Sequence, residues 1–217
     1  MRIIPFMAFL LVLAALSACV PPPDYTLYRS RMPRSILVLP PMNSTTTIEA
    51  NYIFLSTASR PLAEAGYYVF PVAVVDAYMK ENGLPTADEM HGVSLKKIRE
   101  VFGADAVLYF TIESWGQKYY VIASQTVVNA SARLVDVETG QTLWTGKALA
   151  VRDSGAGAPG GIFGALIAAA IHQLVFSMID QTHELSRLAN TTMVFNSNNG
   201  LLLGPRNPEY GNDKRGR

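Results

Sequence analysis

The chain has 217 residues, 49% of them hydrophobic and 16% charged, with 18 basic side chains against 17 acidic ones. This suits one globular domain with its own core, and it lacks the concentrated basic excess of a nucleic-acid binder, so no nucleic-acid partner is expected. A single cysteine excludes an internal disulfide framework, so apolar packing must hold the fold.

Residues 1–18 open with Arg2, continue as "IIPFMAFLLVLAAL" and end in small residues. That is the pattern of a signal peptide, and the run is shorter than the roughly 20 apolar residues of a membrane-spanning helix. Its removal leaves 17 basic and 17 acidic side chains. The closing "LSAC" resembles a bacterial lipobox, in which Leu, two small residues and a cysteine are read by the lipoprotein signal peptidase. The resemblance implies cleavage before Cys19, a diacylglyceryl group on its thiol and an N-acyl chain on its amino group. Each buried CH₂ adds about 0.8 kcal/mol, so several chains anchor durably where one anchors marginally. Val20 stands where lipoproteins kept at the inner membrane typically carry Asp, which implies the outer membrane. The following "VPPPDYTLYRSRMPR" is proline-rich and polar, and residues 19–34 read as a semi-extended tether.

"SILVLPPMN" (35–43) reads as a buried strand ended by two prolines. "TTTIEANYIFLSTASRPLAEAG" reads as a helix from the apolar recurrence at Ile48, Tyr52, Leu55 and Leu62, broken or kinked at Pro61 and stopped by Gly66. "YYVFPVAVV" reads as a second strand, "VDAYMKENG" as a short helix, "DEMHG" as a solvated turn and "VSLKKIREVFG" as a helix closed by Gly103. "ADAVLYFTIESWG" is the most hydrophobic strand and is expected at the centre of the sheet. "KYYVIASQTVVNASARLVDV" and "QTLWTGKALAVRD" alternate in character and are joined by "ETG", an antiparallel hairpin. A glycine-rich link leads to a long helix, "IFGALIAAAIHQLVFSMIDQTHELSRLA". The domain is expected over 35–196, with 197–217 an irregular polar tail. The order predicts one α/β domain with a mixed sheet, helices packed on it, a long antiparallel hairpin and a long C-terminal helix.

Several motifs point to chemistry without carrying it. "GAGAPG" (155–160) matches a dinucleotide fingerprint, but it follows the return arm of a hairpin with no βαβ unit after it, and Asp180 falls within a helix. Pro159 also removes a backbone donor there. The apolar stretch 162–179, with small residues at Gly160, Gly164 and Ala168, is interrupted by His172, Gln173 and Ser177 and reads as a packed helix. His172 and His183 on one helix lie about 16 Å apart along its axis, too far to share a metal. His91 with Asp88 and Glu89 reads as a solvated cluster. No catalytic residue, metal ligand or cofactor is expected; the only attached group is the lipid on Cys19, and the chain is read as non-enzymatic.

"PRSILVLPPMN", "PLAEAGYYVFPVAVVD", "IREVFGADAVLYFTI", "ARLVDVETGQTLWTGKA" and "GLLLGPRNPEYG" together resemble a family of bacterial lipoproteins first noticed as a genome-derived Neisserial antigen. The resemblance covers essentially the whole mature chain. It implies a fold similar to the amino-terminal domain of TolB and to the curli-secretion lipoprotein and penicillin-binding-protein activator domains. It brings no catalytic residues, and only Cys19 transfers as a functional residue. The expectation is an outer-membrane lipoprotein facing the periplasm, surface exposure staying open. Its partners are the membrane, through the lipid, and envelope proteins engaged in assembly, secretion or maintenance. Homo-oligomerisation stays open, with the glycine-rich loop and the "GLLLGPRNPEYG" tail as docking candidates. Two alternatives make sharp demands. An envelope hydrolase needs Asp105, Glu113, Asp136 or His91 to converge. A pore subunit needs 118–153 or 162–179 to insert in lipid.

Overall fold

A computed structural model describes residues 23–119, 124–153, 181–213 and 215. Cys19, the leader, the glycine-rich loop, the apolar stretch 162–179 and His172 lie outside these residues. The elements run α1 (Thr26–Ser30), β1 (Ser35–Val38), β2 (Met42–Asn43), α2 (Ala50–Glu64), β3 (Tyr68–Val69) and α3 (Val72–Glu81). They continue with α4 (Ala87–His91), α5 (Leu95–Phe102), β4 (Ala106–Tyr119), β5 (Ser124–Asp136), β6 (Thr142–Asp153) and α6 (Gln181–Phe195). The strands form one mixed sheet in the order β3-β1-β4-β5-β6, with β2 paired to β4. β1 is parallel to β3 and β4, whereas β4, β5 and β6 are successively antiparallel.

β4 lies at the centre, as its hydrophobicity predicts. Ile36, Val38, Ala106 and Leu108 point into the core shared with α2 and α6, while Leu37, Leu39 and Val107 point into a second core under α3, α4 and α5. A strand buried on both faces has no polar side to show, so its sequence reads as an unbroken apolar run.

Four local expectations are corrected. Pro61 does not break its helix: α2 continues to Glu64, Ala65 N–H bonds the Pro61 carbonyl at 2.9 Å, and the ring is buried. A proline in the last turn gives up its own N–H bond and crowds the carbonyl four residues back, a cost that burial of the last turn offsets. Of the recurring apolar residues only Leu55 and Leu62 join the inner face of α2, with Phe54 and Ala58; Ile48 precedes the helix, and Tyr52 lies on its exposed side. "YYVFPVAVV" is a strand only at Tyr68–Val69; Pro71 caps α3, and Val75 and Met79 of that helix pack beneath β1. "DEMHG" is a helix, since Thr86 and Glu89 form a reciprocal capping box.

The hairpin is also redrawn. Residues 118 and 119 belong to β4, which runs beyond Gly116 and pairs with β5 out to Tyr119↔Ser124. The "ETG" turn stands as expected: Asp136 Oδ2 accepts from Thr139 N–H at 2.8 Å and from its hydroxyl at 2.6 Å, and Gly140 takes φ +72°.

Both ends of the described chain join the core. Tyr25 and Tyr28 are buried, so the chain belongs to the domain from Tyr25 onward and the tether expected over 19–34 does not extend that far. Leu201 and Leu202 are buried as well, which removes two of the three tail leucines from any docking surface. Tyr67 O–H donates to the Leu202 carbonyl at 2.5 Å and accepts from Tyr28 O–H at 2.7 Å, while Tyr25 O–H donates to the Gly200 carbonyl at 2.7 Å. The tail then crosses Gly66, whose φ is +99°; a Cβ there would stand 2.4 Å from Asn207 N. Only glycine admits both that conformation and that approach.

Candidate functional site

The helices cover the sheet unequally, and that inequality creates the site. α3, α4 and α5 lie over β1 and the first residues of β4, and the covered face ends on β5 at Val135, which is buried, whereas Arg133, Thr145 and Lys147 are exposed. Period-two alternation then sends Ala130, Ala132, Trp144, Ala148 and Ala150 into the core. The intervening residues face away from it. Direct pairing across three strands sets them in two rows, Tyr109–Arg133–Thr145 and Thr111–Ser131–Lys147. With Met42, His91 and Asn199 as walls, they line a cleft of about 480 Å³.

His91 stands at the boundary between the covered and the open face. Its Nε2–H donates to the Pro40 carbonyl at 2.9 Å, and its ring meets the Tyr109 ring edge-on at 5.1 Å. Burial lowers its pKa below the ordinary histidine range, against the opposing pull of the Pro40 hydrogen bond and the Asp88 charge; Arg133 adds to the lowering. Burial likewise raises the Tyr109 phenol, and the Arg133 guanidinium, 4.9 Å from the Tyr109 ring centroid, partly offsets this.

Of the four groups on which a hydrolase reading depends, two share a cleft and two lie elsewhere. Asp105 and Asp136 line a second cleft, of about 390 Å³, beside Arg31, Arg34 and Arg99. Asp105 Oδ2 accepts from Arg34 N–H, Ser35 N–H and the Ser35 hydroxyl at 2.9–3.0 Å, tying β1 to the start of β4. Asp136 holds the "ETG" turn. Both carboxylates therefore bind backbone and hydroxyl donors that shape the fold. Glu113, on the open face, accepts from Asn129 Nδ2 at 2.9 Å. His91 lines the other cleft. Among the described residues no three His, Cys, Asp or Glu side chains gather as metal ligands, and no helix is long and apolar enough to cross a membrane.

Sequence reasoning missed Tyr109, Arg133, Thr145 and Lys147. The signal was present: Ser131 and Arg133, then Thr145 and Lys147, occupy every second position of strands whose other positions are apolar. What the alternation could not show is that the polar rows stay uncovered and lie side by side.

A six-stranded mixed sheet with helices packed on it defines a single-domain α/β protein. Its family model is GNA1162-like, matched over residues 23–206, and the chain belongs to this lipoprotein family. It is 40% identical over 207 residues to "Putative lipoprotein NMB1124/NMB1162" of Neisseria meningitidis serogroup B, covering 93% of this chain and 96% of that protein. Among solved structures it is similar to lipoprotein GNA1162 from Neisseria meningitidis, with 43% identity, a TM-score of 0.54, and coverage of 65% of this chain and 97% of that one. A PelC dodecamer from Paraburkholderia phytofirmans shows 18% identity and a TM-score of 0.48 over 85% of this chain and 95% of that one.

Proposed function

We propose that the protein is an outer-membrane lipoprotein, anchored through lipid on Cys19, whose α/β domain binds other envelope proteins as a non-enzymatic accessory of assembly, secretion or maintenance. The observation that carries this reading is "LSACVPPP" at the head of a chain that belongs to a lipoprotein family. Residues 19–24 then form the spacer; fully extended they reach about 20 Å, enough to hold the domain clear of the headgroups. The commitment of Asp105 and Asp136 to backbone donors supports binding over catalysis.

Cys19→Ser, expressed in a Gram-negative host, is the direct test. The expected result is loss of labelled-palmitate incorporation and release of the domain from the membrane fraction into the soluble periplasm. A variant that remains membrane-bound would sink the anchor and favour insertion of another segment. Cross-linking of the wild-type protein in intact cells tests the second half of the reading. Recovery of the protein alone at every expression level would sink the accessory role.

A further inference from the structure

The open sheet face brings two cations together on neighbouring strands. Arg133 and Lys147 lie on neighbouring antiparallel strands, Arg133 opposite Thr145 and Lys147 opposite Ser131. They are therefore diagonal neighbours on one face, a spacing at which long side chains meet and like charges repel. Both are exposed, and among the described residues neither makes an ion pair. Arg133 lies over the Tyr109 ring, whereas at the far end of the sheet Arg31 and Arg99 share Glu138. Glu113, the carboxylate this face of β4 carries, accepts from Asn129 Nδ2 and, among the described residues, forms no ion pair with either cation. Around the two cations stand three hydroxyls, on Thr111, Ser131 and Thr145.

We propose that this cleft is a binding site for a phosphate group, with Arg133 and Lys147 supplying the charge and the hydroxyls of Thr111, Ser131 and Thr145 the remaining donors. A carboxylate, with one charge and two oxygens, is satisfied by one guanidinium fork. A phosphate monoester carries about two charges and three acceptor oxygens, and it matches two cations ringed by hydroxyls. The planar fork of Arg133, steadied on Tyr109, sets the orientation, and Lys147 adds a mobile point charge. The cleft, at about 480 Å³, has the size of a small-molecule site and leaves room for whatever the phosphate is attached to. That attachment is either the diacylglycerol of a phosphatidic acid or the carbon skeleton of a soluble phosphate ester, and the phosphate monoester is common to both. The site does not depend on the lipid at Cys19 or on a protein partner.

The test uses the full chain in neutral detergent, titrated calorimetrically at constant ionic strength. The probes are inorganic phosphate, glycerol 3-phosphate, and a short-chain phosphatidic acid below its micelle concentration. The expected result is saturable one-site binding. Loss of one charge-assisted contact in Arg133→Gln or Lys147→Gln should weaken it about tenfold or more, and Thr145→Val less. All three positions are exposed, and circular dichroism with a melting curve verifies that each variant is folded. Tighter binding of the phosphatidic acid assigns the site to lipid; equal binding of glycerol 3-phosphate assigns it to soluble esters. Absence of saturable binding by every probe, or undiminished affinity in both charge variants, overturns the proposal. Release of Cys19→Ser from the membrane leaves this result untouched, so the two proposals fail separately.

Discussion

The two halves of the sheet are built from the same strands but live in different surroundings. In the half formed by β3, β1 and the start of β4, helices press on both faces, and consecutive residues such as Leu37 and Val38 sink into opposite cores. In the half formed by β5 and β6, the inner face packs on α6 through small residues, and the outer face keeps its charges and hydroxyls. Stability is concentrated where both faces are covered. Recognition has room only where one is bare.

A matched pair of truncations gives the widest contrast. Leu108→Ala, in the covered half, should destabilise by about 2–5 kcal/mol, because it removes buried methyl groups and leaves a cavity. Leu149→Ala, on the outer face of β6 and 46% exposed, should change stability by no more than about 0.5 kcal/mol. Urea unfolding of both variants measures the difference, and equal costs would mean that the outer face is covered in solution.

A smaller effect is expected at the seam that ties the C-terminal segment to the covered half. Burial drives the Tyr67 phenol well above its usual range, so it stays protonated and donates to Leu202. Tyr67→Phe strands the Leu202 carbonyl and the Tyr28 hydroxyl and should cost about 1–3 kcal/mol. Hydrogen exchange should show residues 200–207 opening before the sheet does. Simultaneous opening would mean that the tail and the core are one cooperative unit.

The smallest effect lies on the boundary between the halves. His91 has a folded pKa below its ordinary 6.5, so between the two values the unfolded chain binds more protons than the folded one. Its contribution is therefore present above pH 6.5, declines as the pH falls through 6.5, and is fully lost below the folded pKa. Thermal melts between pH 7.5 and 5.5 should fall more steeply for the wild type than for His91→Gln. Parallel curves would place the imidazole in water and erase the boundary.

What could be read from the residues follows the same division. The "ILV" and "AVL" runs announce buried strands, "LVDVETGQTLW" announces a hairpin with its turn, and Gly103 closes α5 in the left-handed conformation. The failures occur where a tertiary contact outweighs a local preference. Pro61 is tolerated because the end of α2 is buried, and the β-branched "VAVV" becomes helical because Val75 and Met79 find a core under β1. The tail reads as irregular because turn residues dominate it, and its leucines signal burial or docking, but no local pattern says that Tyr25, Tyr67 and Gly66 wait for it across more than a hundred positions of sequence. Of the cleft, the alternating polar rows were legible; their adjacency was not.

The sequence by itself determined the lipoprotein-like leader, the α/β class, the central place of β4 and the hairpin, because each rests on a local motif or on a periodicity within one segment. The tertiary structure alone decided that Tyr25 and Leu202 belong to one core, that Asp105 and Asp136 are spent on backbone donors, and that Arg133 and Lys147 share an uncovered face. These facts depend on strand register and on which surface a helix reaches, and both are settled only when distant segments compete to bury the same apolar area.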